Sequence, residues 1–196
     1  MSKLVLTEFL EFRTDSDLLT EAERKAVQEG EEIYLAGVMQ RAGATNGNGR
    51  IYPKQILERE VENYQKLVRE GRAVGELDHP DSSVVELKNA SHLVTEIKMD
   101  GDDVVGKIRI LDTPAGQTAI GLLKGGVKLG ISSRGLGSTR NEAGKTIVQD
   151  DFQLVCFDLV SEPSTTGAFM LKEGKEANIF TKADKINRLL NDLVKE

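Results

Sequence analysis

Residues 91–111 place the strongest constraint on the fold of this 196-residue chain. The runs SHLVTEIKM and DVVGKIRIL alternate apolar with polar side chains, and the DGDD sequence between them is typical of a turn. Alternation with a period of two places one face of a strand in a core and the other towards solvent. We therefore expect an antiparallel hairpin at the centre of the chain.

Further strands and helices are predicted on both sides of this hairpin. Strands are indicated by EEIYLAGVMQ and by VKLGIS, which leads into the two adjacent serines. A further hairpin turns near NEAG and continues into FQLVCFDLV. Helices are indicated after Pro53 as far as Gly71, from Thr113–Pro114 to Lys124, and at 183–195. The pattern predicts an α+β fold with a mostly antiparallel, β-barrel-like core surrounded by helices.

Charge divides the chain into three regions. Residues 1–30 are charged and favour helix, 31–170 contain the predicted strands, and 171–196 are again dominated by charge. We expect a core domain at 31–170, flanked by an N-terminal helical segment and a C-terminal helical tail that are both possible propeptides.

Composition excludes several classes of function. The chain has 26 basic and 32 acidic residues, a net charge of −6, which argues against a nucleic-acid or membrane-surface binder. No apolar run approaches the roughly 18 residues of a membrane span, and the N-terminus does not resemble a signal peptide. The single cysteine, Cys156, excludes an internal disulfide and favours a reducing cytoplasm; within LVCFDLV it is expected to be a buried, inert thiol.

Two short islands carry the residues suited to acyl-transfer chemistry. GELDHP at 75–80 contains His79, and GISSRGLG at 130–137 contains Ser132, Ser133 and Arg134. A histidine can take a proton, a serine can attack, and backbone N–H groups with a cation can receive an oxyanion. The alternatives are that DHP is a simple turn and that the glycine-rich island is a hairpin with Arg134 in water.

A third group is needed to orient the imidazole, and Asp158 is the best candidate. A carboxylate inside the apolar run LVCFDLV is costly unless it is paired, although simple strand alternation would instead face it to solvent. The second histidine, His92, is expected to be structural. A metal site built from Glu76, Asp78, His79 and Asp81 is disfavoured, because only one imidazole is nearby and no HExxH or CxxC spacing occurs.

Four blocks of sequence resemble the prohead core proteases of large tailed phages, which are related in fold to the herpesvirus assemblins. The blocks are NGNGRIYPKQILEREVENY, GELDHP, SSRGLGS and DLVSEPS, and the similarity runs from about Ile33 to Ala168. The resemblance implies a β-barrel-like core wrapped by helices and a Ser-His catalytic pair that needs no cofactor.

The resemblance also implies roles for individual residues. His79 matches the general base, Ser132 the nucleophile, and Asp158 falls where a third member would lie. Arg134 and Gly135 match the turn that forms the oxyanion site, and Ser133 is the alternative nucleophile. Assemblins use a second histidine placed after the serine, whereas His92 here precedes it, and this departure favours Asp158 as the third member.

Such proteases are similar in cutting after glutamate in Leu/Ile-x-Glu contexts. LTE-A at 19–22 and LKE-G at 171–174 fit this pattern, so we expect self-cleavage after Glu21 and Glu173. The implied substrates are phage capsid and scaffold or core proteins inside the prohead in the host cytoplasm, with no nucleic-acid or membrane partner. Oligomeric state is not indicated. The alternative function is a non-enzymatic capsid assembly or scaffolding protein whose terminal helices bind partners.

Overall fold

A computed structural model describes residues 4–10, 19–29, 32–80 and 82–161. These form an α+β fold that is mostly antiparallel, as the sequence predicted; the predicted helix at 183–195 lies outside the described residues. The elements in chain order are β1 (Leu4–Leu10), α1 (Glu21–Glu29), β2 (Tyr34–Arg41), β3 (Arg50–Ile51), α2 (Lys54–Arg69), β4 (Val74–Glu76), a 3₁₀ turn (Leu87–Asn89), β5 (Ala90–Asp100), β6 (Asp103–Ile110), α3 (Pro114–Lys124), β7 (Gly130–Gly137), β8 (Thr139–Glu142), β9 (Lys145–Val148) and β10 (Gln153–Val160).

The described strands form two main sheets and a small one. The order β1-β7-β10 makes the first sheet and β2-β6-β5-β4 the second, and every ladder in both is antiparallel. The third, β3-β9-β8, pairs β3 with β9 in parallel. The predicted central hairpin is confirmed as β5–β6, with Gly101 at positive φ in its turn.

Two sets of contacts join the two main sheets. The chain after β4 bridges to β10 through a parallel pair, Leu77 with Leu159, and β1 packs against β2. Seven strands thus surround one apolar core without forming a single closed ladder. This arrangement brings the end of β4 next to β10.

Helices α2 and α3 cover the second sheet. Pro53 precedes α2, whose apolar face buries Ile56, Leu57, Val61 and Tyr64 and packs on β5. Tyr64 meets Phe157 of β10 edge to face, with ring centroids 5.7 Å apart. Helix α3 begins as predicted, because the Thr113 side chain accepts a hydrogen bond from the Gly116 N–H.

The structure differs from the sequence prediction at the N-terminus and around the serines. The helical prediction for residues 1–30 is confirmed at Glu21–Glu29 and wrong for Leu4–Leu10, which pairs along β7 from Gly137 to Ile131. The strand predicted at 127–132 begins at Gly130 and continues through Gly137. Pairing with β1 on one side and β10 on the other keeps the serine island extended, despite its glycines.

Gly75 packs so closely that only glycine fits. A Cβ at this position would overlap the Phe157 carbonyl oxygen and the His92 ring, both parts of the buried core. Replacing Gly75 by alanine therefore forces backbone or core side chains to move, and we expect a loss of about 3 kcal/mol in the free energy of unfolding. Urea unfolding measures this.

Gly121→Ala is the matched control for that substitution. Gly121 lies within α3, and a methyl group added at this position would meet no neighbouring atom within 4 Å. Alanine there should raise stability by about 0.5–1 kcal/mol. Equal effects of the two substitutions would contradict the packing assigned to Gly75.

Candidate active site

Three side chains from three separate segments meet beside the end of β4. His79 lies between Asp158 and Ser132: its Nδ1 is 2.8 Å from Asp158 Oδ2, and its Nε2 is hydrogen-bonded to Ser132 Oγ. A carboxylate only accepts hydrogen bonds, so Nδ1 donates to Asp158 and Nε2 accepts from the serine hydroxyl. This is the tautomer that a general base acting on serine requires.

The pairing of β7 with β10 places two of the three side chains. Ser132 and Asp158 are direct partners across this ladder, and a register shift between Leu154 and Cys156 sets that alignment. Cross-strand partners project on the same face of a sheet. Both side chains are fully buried, whereas His79 remains partly exposed, so a substrate can reach only the imidazole side of the group.

A left-handed residue aims His79 at this pair. Asp78 has φ of 69°, a conformation that aspartate tolerates better than most residues, and its N–H donates to the Leu159 carbonyl at 2.7 Å. The hydrogen bond fixes the loop to β10 next to Asp158. Pro80 then restricts His79 to extended backbone geometry.

Asp158 is buried with an unusually complete set of donors. Besides His79, it accepts from the Glu76 N–H at 3.0 Å and from Arg134 Nε at 2.9 Å. Burial raises the pKa of this carboxyl, but the His79 hydrogen bond and the charge of Arg134 outweigh it and hold the pKa below the ordinary value. Asp158 is therefore ionised when it faces the imidazole.

The Arg134 guanidinium lies on the Asp158 side of the group, which the sequence did not predict. It donates to both oxygens of Asp158, to the Ser82 carbonyl at 2.6 Å and to Glu76, and the side chain is fully buried. Four of its five N–H groups are thus engaged with these acceptors, which is the arrangement of a cation that holds Asp158, and the expected oxyanion role stays a prediction.

Ser133 and Gly135 lie on the same strand as Ser132, but neither presents a side chain to His79. Ser133 projects from the opposite face to Ser132, and its buried Oγ has no hydrogen-bond partner among the described residues. Gly135 packs against Phe152, whose ring a Cβ would overlap. The structure brings Ser132, and not Ser133, to His79.

The other sequence candidates are separated from this group. Glu21 is exposed at the start of α1, and Glu173 lies outside the described residues. His92 is buried and hydrogen-bonded to Phe157 O at 3.0 Å and Ser91 Oγ at 2.8 Å. Cys156 is buried beside Asp158 at 3.3 Å, and burial raises the pKa of its thiol well above the ordinary value. Both have the structural roles that the sequence indicated.

Glu76 is the residue whose part in the site the sequence did not show. It is fully buried, and its carboxylate binds Arg134 and the Glu86 N–H at 2.8 Å. Its position within the GELDHP motif was a visible signal, but the sequence indicated only membership of a disfavoured metal site. Across the part of the chain that the structure describes, no three His, Cys, Asp or Glu side chains cluster as a metal site, and no helix could span a membrane.

The fold and the Ser-His-Asp arrangement define a serine peptidase. A family model described as prohead core protein serine protease matches residues 12–179, and the chain belongs to this family. It is 34% identical over 173 residues to the prohead core protein protease of Enterobacteria phage T4, covering 84% of this chain and 82% of that protein. The solved structure of the bacteriophage T4 capsid assembly protease, gp21, superposes with a TM-score of 0.67 at 27% identity, covering 82% of this chain and 99% of that one.

Burial of His92 makes the stability of the protein depend on pH. Burial lowers the pKa of His92 to about 4, against a partial offset from Asp158 and the Phe157 hydrogen bond. Between pH 4 and 6.5 the unfolded chain therefore binds more protons than the folded one, so stability falls as pH falls through this window.

We expect a loss of up to about 3 kcal/mol across that window, and His92→Gln should remove most of it. Urea unfolding at several pH values between about 4 and 7 gives the comparison. An identical slope in parent and variant would show that His92 is not the group responsible.

Proposed function

We propose that this protein is the serine endopeptidase that matures a phage prohead, cleaving capsid and scaffold or core proteins after glutamate in Leu/Ile-x-Glu contexts. It would act inside the prohead in the host cytoplasm. The observation that carries the proposal is the contact of His79 with both Asp158 and Ser132. The T4 relatives, named as a prohead core protease and a capsid assembly protease, supply the substrate class.

The proposed reaction passes through an acyl-enzyme. His79 Nε2 takes the Ser132 proton as Oγ bonds to the substrate carbonyl carbon, and Asp158 stabilises the imidazolium that forms. The imidazolium then protonates the leaving amine as the C–N bond breaks. Water, deprotonated by the same imidazole, releases the acyl group and restores Ser132.

In this proposal, backbone N–H groups near Arg134 and Gly135 bind the oxyanion, because the Arg134 guanidinium is engaged with Asp158, Glu76 and Ser82. Both residues lie where β7 pairs with β1, opposite Thr7 and Leu6. Cleavage after Glu21 would separate the segment that carries β1 from the rest of the chain. Loss of β1 would leave the outer edge of β7 unpaired, with N–H groups free to bind an oxyanion or a substrate strand.

The two adjacent serines provide a matched test of the nucleophile. Ser132→Ala should lower cleavage of a peptide containing Leu-x-Glu by at least about 10³-fold, since it removes the attacking oxygen. Ser133→Ala should leave the rate within about threefold, because the Ser133 hydroxyl has no hydrogen-bond partner among the described residues to lose. Steady-state cleavage measured by mass spectrometry distinguishes them, and a larger loss in Ser133→Ala would reverse the assignment.

The same assay addresses the alternative of a non-enzymatic assembly protein. His79→Ala should be as inactive as Ser132→Ala while the parent protein cleaves the peptide. If the parent, freed of any inhibitory terminal segment, is as inert as both variants, the assembly role is favoured instead.

Self-cleavage after Glu21 requires part of the structure to open. Glu21 begins α1, and Thr20 and Glu23 cap the helix through reciprocal hydrogen bonds. Leu19 is buried, and Lys107 binds Glu23 at 3.2 Å. A scissile segment must enter a protease site extended, so the first turn of α1 has to unwind before cleavage.

Intact-mass measurement tests whether the ends are processed. The parent protein should yield products that begin at Ala22 and end at Glu173, because hydrolysis follows Glu21 and Glu173. Glu21→Gln should block only the N-terminal cut, and Ser132→Ala should block both. Identical unclipped masses for the parent and Ser132→Ala would refute self-processing.

A further inference from the structure

We propose that Glu76 is a positioning residue for the reaction: through Arg134 it sets the orientation and charge of the Asp158 carboxylate that faces His79. The inference rests on the function proposed above and adds a residue to its machinery. It is carried by a buried chain of contacts that leads from Glu76 to Arg134, Asp158, His79 and Ser132.

Glu76 is held at both carboxylate oxygens and at its backbone. Oε2 binds Arg134, Oε1 accepts from the Glu86 N–H at 2.8 Å, and the Glu76 N–H donates to Asp158 Oδ1 at 3.0 Å. Both side-chain partners are donors, which is the pattern of an ionised carboxylate. The residue thus ties β4 and the segment after His79 to the aspartate.

Arg134 has acceptors for all of its nitrogens. It spans both oxygens of Asp158, the Glu76 carboxylate and the Ser82 carbonyl. A planar guanidinium fixes acceptors in one plane, and lysine could not replace it at four acceptor atoms. Because Ser82 follows His79 closely in sequence, the same cation fixes Asp158 and the segment beyond the histidine.

Charge gives Glu76 an effect beyond packing. Two carboxylates share one buried guanidinium, so the cluster keeps one negative charge that an imidazolium at His79 would neutralise. Without the Glu76 charge, Arg134 would neutralise Asp158 alone, and the imidazolium formed during the reaction would lose stabilisation. The other titratable groups that act on Asp158 are Cys156 on β10, His92 on β5 and Tyr64 on α2. All three groups are uncharged near neutral pH, so none of them adds a charge that could compensate for the loss of Glu76.

Glu76→Gln removes the charge with little change in shape. We expect kcat to fall about tenfold, with KM within about twofold, because the lost interaction strengthens in the transition state. The acid limb of the pH profile of kcat/KM should move to lower pH, since protonated imidazole is less favoured. A purely structural role would lower activity by the same factor at every pH.

Glu60→Gln is the matched control. Glu60 is also a buried carboxylate, but it accepts from Arg59 Nε at 2.9 Å and from the Leu154 N–H at 2.8 Å, on the α2 side of β10. Its neutralisation changes the net charge equally and should leave the acid limb where it is in the parent.

NMR of the two histidines supplies a readout that needs no catalysis. The His79 ring resonance, assigned by its loss in His79→Gln, should titrate at lower pH in Glu76→Gln than in the parent and in Glu60→Gln. An unmoved titration with parental kcat in folded Glu76→Gln would overturn the inference. A parent protein that cleaves no peptide would instead remove the proposed function.

Glu76→Asp keeps the inference testable if Glu76→Gln does not fold. Aspartate retains the charge but is one methylene too short to hold Arg134 and the Glu86 N–H together, so kcat should fall with the acid limb unmoved. Parental kcat in folded Glu76→Asp would overturn the role just as directly. Thermal unfolding followed by circular dichroism establishes that each variant is folded.

Discussion

The buried contact between Arg134 and Asp158 is the interaction on which the site depends. Neither group is accessible to water, and taking each ion out of water costs several kcal/mol. The cost is offset because the carboxylate and the guanidinium satisfy each other, and Glu76, Ser82 and His79 complete their hydrogen bonds. Loss of either central partner would leave an uncompensated charge in the core. Both the stability of the fold and the geometry of the site therefore require this buried ion pair.

The same contact joins parts of the chain that are far apart in sequence. Asp158 belongs to β10, Arg134 to β7, and Glu76 to β4 in the other main sheet. The Leu77–Leu159 bridge and the Asp78 hydrogen bond to Leu159 bring β4 to β10 without extending a ladder. The charged cluster therefore lies where the two sheets meet, and its side chains complete a contact that no continuous ladder makes.

Placement of Ser132 on a central strand has a consequence for rigidity. Ser132 is flanked by β1 and β10, so its backbone is held by neighbours on both sides. The β10 ladder would remain after the proposed release of β1, and such support matters because small displacements of reacting groups are costly in rate. His79, in contrast, lies on a loop, and its direction depends on the positive φ of Asp78 and on Pro80.

Sequence alone determined the strands of the central hairpin, helices α2 and α3, and the two islands with His79 and Ser132, because periodicity, caps and rare residue types are local signals. An acid inside an apolar run also marked Asp158, since burial of charge requires a partner. Tertiary structure decided that Leu4–Leu10 is a strand, that Ser132 rather than Ser133 meets His79, and that Arg134 and Glu76 support Asp158. These depend on strand pairing and register between distant segments, which no local pattern encodes.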